Sequence, residues 1–335
     1  MKLKPVGEQV VVVFGASSGI GRVTAQKFAE RGAKVVVSAR SEDGLQTLVD
    51  EIRQQGGQAI AVPADVSDFE QVKAVADRAV TEYGRLDTWA HVSGVGIYAR
   101  FTDLAPDEFK RVIEVNLVGS AYGALAALPH LKQGGALIVV SSVESQVSFP
   151  FHSAYAAAKH GIPGWLDALR VELKHDGIPV SVTNIMPAAI NTPFFSSART
   201  KLGVKPSAPP PVYHPSTVAD QIVYAAEHPV RDMVAGGAGK VFIQVQKISP
   251  LLMDRLMLLA GFSSQQTDQP KSVNAPNNLY APEDRDNRVE GDFGHITFKR
   301  SLYNWLGRHP YLRRALFGSA LGAAALVSLR SLNEA

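Results

Sequence analysis

The chain has 335 residues, 46% of them hydrophobic and 19% charged, with a formal net charge of +3. That balance describes a folded globular protein, and without a run of like charges it offers no electrostatic footprint for nucleic acid. The absence of cysteine excludes disulfides, cysteine-ligated zinc and cysteine nucleophiles.

Residues 1–6 are too polar, and too few before the first apolar run, for a secretory signal, so a cytoplasmic chain is expected. Short β-branched runs predict strands over 10–14, 34–38, 59–62, 88–92, 136–140 and 180–185. They are nearly continuous in apolar character, as strands of a parallel sheet covered on both faces are. Helical periodicity fills the gaps over 20–31, 45–54, 68–83, 107–128 and 154–174, with Ser67 as the expected cap of the third helix. Strand and helix alternating at this spacing predict a doubly wound, Rossmann-type parallel sheet with helices on both faces. A helix over 217–228 and a last strand over 240–245 complete a domain of residues 1–247. Residues 248–335 then form a mostly helical or irregular extension, with a short helix over 251–262 and an irregular connection over 263–300.

The first predicted strand runs into Gly15-Ala16-Ser17-Ser18-Gly19-Ile20-Gly21, and a helix follows. Glycines let the backbone turn tightly and let a pyrophosphate approach the main chain, while a helix N-terminus supplies N–H groups and partial positive charge. The spacing of Gly15, Gly19 and Gly21 resembles the T-G-x-x-x-G-x-G motif of the short-chain dehydrogenase/reductase family, with Phe14 in place of the threonine. The second strand ends in Ser38-Ala39-Arg40 without an acidic residue. An acid there would favour the free ribose of NAD, whereas a guanidinium suits the 2′-phosphate of NADP(H). Arg22 is expected to add charge nearby. By resemblance, Asp65 and Val66 border the adenine, and Gly94 in His91-Val92-Ser93-Gly94 keeps the backbone close to the cofactor although Val92 replaces an asparagine.

Tyr155 and Lys159 lie four apart on one predicted helical face. An ammonium beside a phenol is expected to lower its pKa and tune it for proton transfer. Alone the pair means little; its weight comes from company. Ser142 closes the fifth strand, with Ser141 as the adjacent alternative, and the resemblance implies that Ser142 polarises the substrate oxygen. Asn116 matches the family asparagine that holds a water near the lysine. Pro187, Ala188 and Thr192 resemble the P-G-x-x-x-T segment beside the nicotinamide, with Ala188 for glycine. These features run in family order over 8–247 and imply hydride transfer between NADP(H) and a carbonyl or secondary alcohol, with Asn116, Ser142, Tyr155 and Lys159 as the catalytic set. No metal is needed.

Residues 187–215 are proline-rich and, placed after the sixth strand, are expected to form a substrate lid. Phe149, Phe151, Phe194, Phe195 and Tyr213 suggest an apolar wall and hence a bulky hydrophobic substrate, although each is equally readable as core. The apolar run 315–329, flanked by Arg313, Arg314 and Arg330 within an expected helix over 311–330, leaves three readings open: docking on the core, pairing of subunits, or contact with a membrane surface. The resemblance adds homo-oligomers built on the helices carrying Asn116 and Tyr155. The rival to an enzyme is a non-catalytic NADPH-binding or membrane-associated scaffold acting through the extension.

Overall fold

The computed structural model describes residues 1–284, 286–309 and 311–312. Seven strands make the central sheet: β1 (Val10–Phe14), β2 (Lys34–Ser38), β3 (Gln58–Ala61), β4 (Thr88–His91), β5 (Gly135–Val140), β6 (Val180–Pro187) and β7 (Asp232–Ala235). All pair in parallel, in the order β7-β6-β5-β4-β1-β2-β3. Parallel neighbours need long crossovers. Helices α1 (Gly19–Glu30), α2 (Glu42–Gln54), α3 (Phe69–Tyr83), α4 (Pro106–Leu131), α5 (Ser153–His175) and α6 (Ser216–Ala225) line the two faces. Strand order reverses between β1 and β4, which opens a crevice at their carboxyl ends.

The pleat divides the core in two. Val10, Val12 and Phe14 join Trp89, Leu137 and the apolar sides of α3, α4 and α5. Val11 and Val13 turn the other way, with Ile138, towards α1, α2 and α6. Helix α4 is apolar and long enough to cross a membrane, but half of its most apolar stretch is buried, and it packs between α3 and α5. It is a core helix of the sheet's flank.

Two local expectations fail for identifiable reasons. The third helix is capped by Asp68, whose Oδ1 accepts from Gln71 N at 3.2 Å, while the Ser67 hydroxyl donates to Asp65 instead. The stretch 240–245 is not a strand but part of α7 (Gly237–Ile248). A short apolar run fits either state by pattern alone. The real last strand, β7, has only four residues, begins on an exposed aspartate and is only half buried, so it left a weak signal. Beyond α7, helix α8 (Pro250–Leu256) continues into one π turn, Met257–Gly261; Ile248 at the end of α7 and Leu251, Leu258 and Leu259 on these turns are exposed.

Residues 263–300 are far from a passive connection. Gln266–Pro270 pairs antiparallel with Val204–Pro206, and Thr297–Phe298 pairs parallel with Val212–Tyr213. Helix α9 (Leu302–Gly307) then docks beside β7 through Asn304, whose Oδ1 accepts from Gly236 N at 2.7 Å and whose Nδ2 donates to Val234 O at 2.6 Å. The apolar run 315–329 lies outside the described residues.

Candidate active site

One cleft of about 290 Å³ follows the carboxyl ends of β1, β2, β4, β5 and β6. At one end lies the glycine turn. Gly15 sits at φ +94°, and a Cβ there would stand 2.5 Å from Ser93 N; a Cβ on Gly21 would stand 1.9 Å from Gly15 O. Only glycine lets β1, the turn and the strand end after β4 approach so closely. Ser17, Ser18, Gly19, Ile20 and Gly21 line the cleft as α1 begins. The Phe14 ring fills the space below the turn, stacked on His91 at 5.7 Å and tilted against Trp89 at 5.8 Å. Burial holds His91 near a pKa of about 3, so the imidazole is neutral, and its Nε2 meets Ser93 Oγ at 3.0 Å. An aromatic stack thus stands where the family motif has a hydroxyl.

Arg40 lines the cleft at the end of β2. Its Nη2 donates to Asn278 O at 2.6 Å, while Nη1 is buried with no partner among the described residues. Burial is the main cause lowering its pKa; Asp65 opposes the shift and Arg111 adds to it. Arg22 does not join it. That guanidinium turns away, to Gly44 O at 3.0 Å and Glu51 Oε1 at 2.7 Å, and ties α1 to α2. Asp65 is engaged as well, accepting from Ser67 N and Oγ and from Arg111 Nη2. Burial opposes its ionisation, but those bonds prevail and hold the carboxyl below its usual range. Of the expected adenine pair, Val66 lines the cleft and Asp65 does not.

A strap of residues 278–284 and 286–291 crosses this end. Asn287 Oδ1 approaches Ser41 Oγ at 3.4 Å, and Gly19 N donates to Arg288 O at 2.9 Å. Gly291 N donates to Asn191 O at 3.2 Å, and Glu283 and Asp286 line the cleft.

The other end gathers Ser142, Tyr155 and Lys159. The two serines of β5's end are distinguished by their partners: Ser141 Oγ donates to Asn184 Oδ1 at 2.6 Å inside the sheet, whereas Ser142 stands beside Tyr155. Lys159 Nζ donates to Val140 O at 3.1 Å and lies 5.5 Å from the Tyr155 ring centre. Burial lowers its pKa to about 8, with Glu144 acting against the shift. Tyr155 departs from expectation. Part of its ring faces the open cleft, yet burial of the phenol pushes its pKa well up, the Glu144 carboxylate pushes further, and a hydrogen bond with Ser142 opposes both. The protein alone therefore keeps this phenol protonated.

Asn116 occupies a π turn, Glu114–Val118, within α4. The extra residue aims its amide at Val95, with Oδ1 accepting from Val95 N and Nδ2 donating to Val95 O, both at 2.8 Å. A Cβ on Gly94 would stand 3.2 Å from Asn116 Oδ1 and 3.6 Å from Lys159 Nζ, so Gly94 keeps a narrow gap between them. Pro187, Ala188 and Thr192 line the cleft beyond β6. Of the expected wall, Phe149, Phe194 and Phe195 line it too. Phe151 packs edge-on against Phe262, and Tyr213 joins the core beside α6.

The cleft also holds Tyr98, Glu144, His152 and Gln265, which sequence reasoning missed. Glu144, an acid two residues beyond Ser142 in an otherwise uncharged stretch, was the one visible signal.

The model of the family described as short chain dehydrogenase matches residues 9–203. The chain belongs to that family. Among the relatives of this short-chain dehydrogenase is the uncharacterised oxidoreductase YxnA of Bacillus subtilis (strain 168), 39% identical over 284 residues, or 84% of this chain and 80% of the relative. Versicolorin reductase stcU of Emericella nidulans is 37% identical over 191 residues, 56% of this chain and 72% of that one. Among solved structures, an alcohol dehydrogenase from the archaeon Thermococcus sibiricus complexed with 5-hydroxy-NADP superposes with a TM-score of 0.59 at 28% identity, covering 68% of this chain and 94% of that chain. Membership makes this chain an oxidoreductase with a nicotinamide dinucleotide as cofactor, acting on CH–OH or C=O groups. The glycine cradle and the unpartnered Arg40 Nη1 fit such a molecule.

Proposed function

We infer that this enzyme uses NADP(H), and that it reduces a carbonyl, or oxidises the matching secondary alcohol, on a substrate with a substantial apolar surface. The observation that carries the cofactor choice is Arg40, a half-buried guanidinium at the end of β2 with Nη1 unpartnered among the described residues, where Ser38-Ala39-Arg40 offers no acid to hold a free ribose. The Thermococcus sibiricus neighbour, solved with 5-hydroxy-NADP, supports the same reading.

When bound, the dinucleotide supplies the hydride. Gly15, Gly19 and Gly21 with the first turn of α1 hold its pyrophosphate, Arg40 the 2′-phosphate, and Pro187 and Thr192 the nicotinamide end. Ser142 and Tyr155 hydrogen-bond the substrate oxygen. Tyr155, held protonated by burial and by Glu144, gives its proton to that oxygen during reduction and recovers it during oxidation. Lys159 keeps an ammonium behind the phenol, and Asn116 shapes the wall through Val95. Residues 187–215 act as a lid whose Phe194 and Phe195, with Phe149, exclude water from the reacting carbon.

The test is fluorescence titration of the wild type and Arg40→Ala with NADPH and NADH. A charge-assisted phosphate contact contributes about 1.5–3 kcal/mol. NADPH affinity is therefore expected to fall about ten- to hundredfold while NADH affinity moves little. An equal loss for both cofactors would defeat the NADP reading.

A further inference from the structure

Beside the Tyr155 phenol the cleft carries four polar side chains that the reaction above places on neither substrate nor cofactor. Tyr98 and Gln265 are fully buried, and Glu144 and His152 are 7% and 6% exposed. Each has one polar atom buried without a partner among the described residues: Tyr98 OH, Glu144 Oε2, His152 Nε2 and Gln265 Oε1. Buried polar atoms in native proteins are nearly always satisfied, and four left over on one cleft wall point to a ligand.

They form one cluster. Glu144 Oε1 and His152 Nδ1 lie 2.7 Å apart, and the His152 ring meets Tyr98 edge-on at 4.2 Å and Tyr155 at 5.8 Å. Glu144 is tied to the reacting end, its N–H donating to Ser142 Oγ at 3.0 Å. Gln265 arrives from the extension, with Nε2 donating to Pro150 O at 2.9 Å and to Gly261 O at 2.8 Å.

Those bonds settle what each leftover atom can do. With both Gln265 donors spent on carbonyls, Oε1 only accepts. A carboxylate oxygen only accepts, so Glu144 Oε1 calls for a proton on His152 Nδ1, and Glu144 Oε2 is a second acceptor. Tyr98 adds the cluster's lone O–H. Two atoms that can only accept, Glu144 Oε2 and Gln265 Oε1, favour a ligand that brings a donor. The nearby Phe149, Phe194 and Phe195 make a second ammonium costly to desolvate, and Glu144 already has its partner. A neutral hydroxyl suits the place.

We propose that Tyr98, Glu144, His152 and Gln265 form a specificity subsite for a hydroxyl carried beside the reacting carbonyl, so that the preferred substrates are hydroxylated ketones with an apolar ring or chain. This rests on Ser142 and Tyr155 holding the carbonyl oxygen, and it narrows the substrate class.

The test compares 2-hydroxy-1-tetralone, 2-methoxy-1-tetralone and 1-tetralone as NADPH-linked substrates of the full-length protein. The methyl ether keeps the oxygen and removes the donor. The hydroxyketone is expected to exceed both others at least tenfold in kcat/KM. Gln265→Met and Glu144→Gln are expected to shrink that ratio severalfold, mainly through KM of the hydroxyketone. Equal kcat/KM for all three ketones, or a ratio that neither variant moves, would overturn the subsite. Calorimetric binding of tetralin-1,2-diol and 2-methoxytetralin-1-ol to the NADPH-loaded protein reads the same subsite without turnover, and equal affinities would also overturn it. If no ketone is reduced but the diol binds at least tenfold more tightly, the reaction assigned above fails and the subsite stands.

Discussion

Tyr155 and Lys159 show how far a residue's role is set by what surrounds it. Burial and Glu144 keep the phenol protonated, while burial brings the Lys159 ammonium down to a pKa of about 8. Lys159 is thus charged below about pH 8 and neutral above it. If the ammonium supports proton donation, kcat/KM for ketone reduction is level on the acid side and falls as pH rises through 8. A pH profile of the wild type checks this, and Lys159→Met is expected to remove the limb along with most of the activity. Tyr155→Phe is expected to lower kcat about 10²- to 10⁴-fold, the usual worth of a positioned proton donor, with NADPH affinity little changed. The neighbourhood of these residues could be read from the sequence because each belongs to a local spacing: the glycines within one turn, and Tyr155 and Lys159 within one helical turn. Tyr98, Glu144, His152 and Gln265 could not be read as a group, because they come from three separate stretches of the chain and form no motif. Arg22 misled because its charge was visible and its partner, Glu51 on the next helix, was not.

At the scale of elements, the crevice depends on backbones meeting where a single methyl group would not fit. Gly21→Ala would drive a Cβ into Gly15 O. Overpacking of this kind usually costs about 1–3 kcal/mol. The substitution is expected to lower the melting temperature by several degrees and to abolish NADPH binding, as thermal unfolding with and without NADPH would record. The alternating architecture was legible because strands buried on both faces are apolar throughout. The π turn was not, since Asn116 within α4 satisfies helical periodicity on either side and only the inserted residue redirects its amide to Val95. The overlooked β7 lies at an edge of the sheet, where a short strand is less buried and announces itself less, and the apolar run 240–245, which fits helix or strand by pattern alone, was read in its place.

At the scale of the whole molecule, the described part of the extension is held to the sheet domain by short strand pairings and by side chains that meet main-chain groups, which leave little signature in the local pattern. That is why 263–300 read as an irregular connection. Asn304 illustrates the effect, completing Gly236 N and Val234 O at the end of β7. Asn304→Ala leaves both groups short of a partner, at about 1–3 kcal/mol. Urea unfolding is expected to show a lower midpoint with an unchanged slope. An unaltered midpoint would mean that α9 contributes little to the fold.

The strap over residues 278–284 and 286–291 is anchored on both sides to the same proline-rich segment, through Gln266–Pro270 on Val204–Pro206 and Thr297–Phe298 on Val212–Tyr213. Strap and proline-rich segment are therefore expected to move together, so that an opening that frees the spent dinucleotide also frees the product. Turnover is then expected to be timed by that opening and not by the chemical step. Added viscogen should slow kcat, and deuterium at the transferred position should scarcely change it.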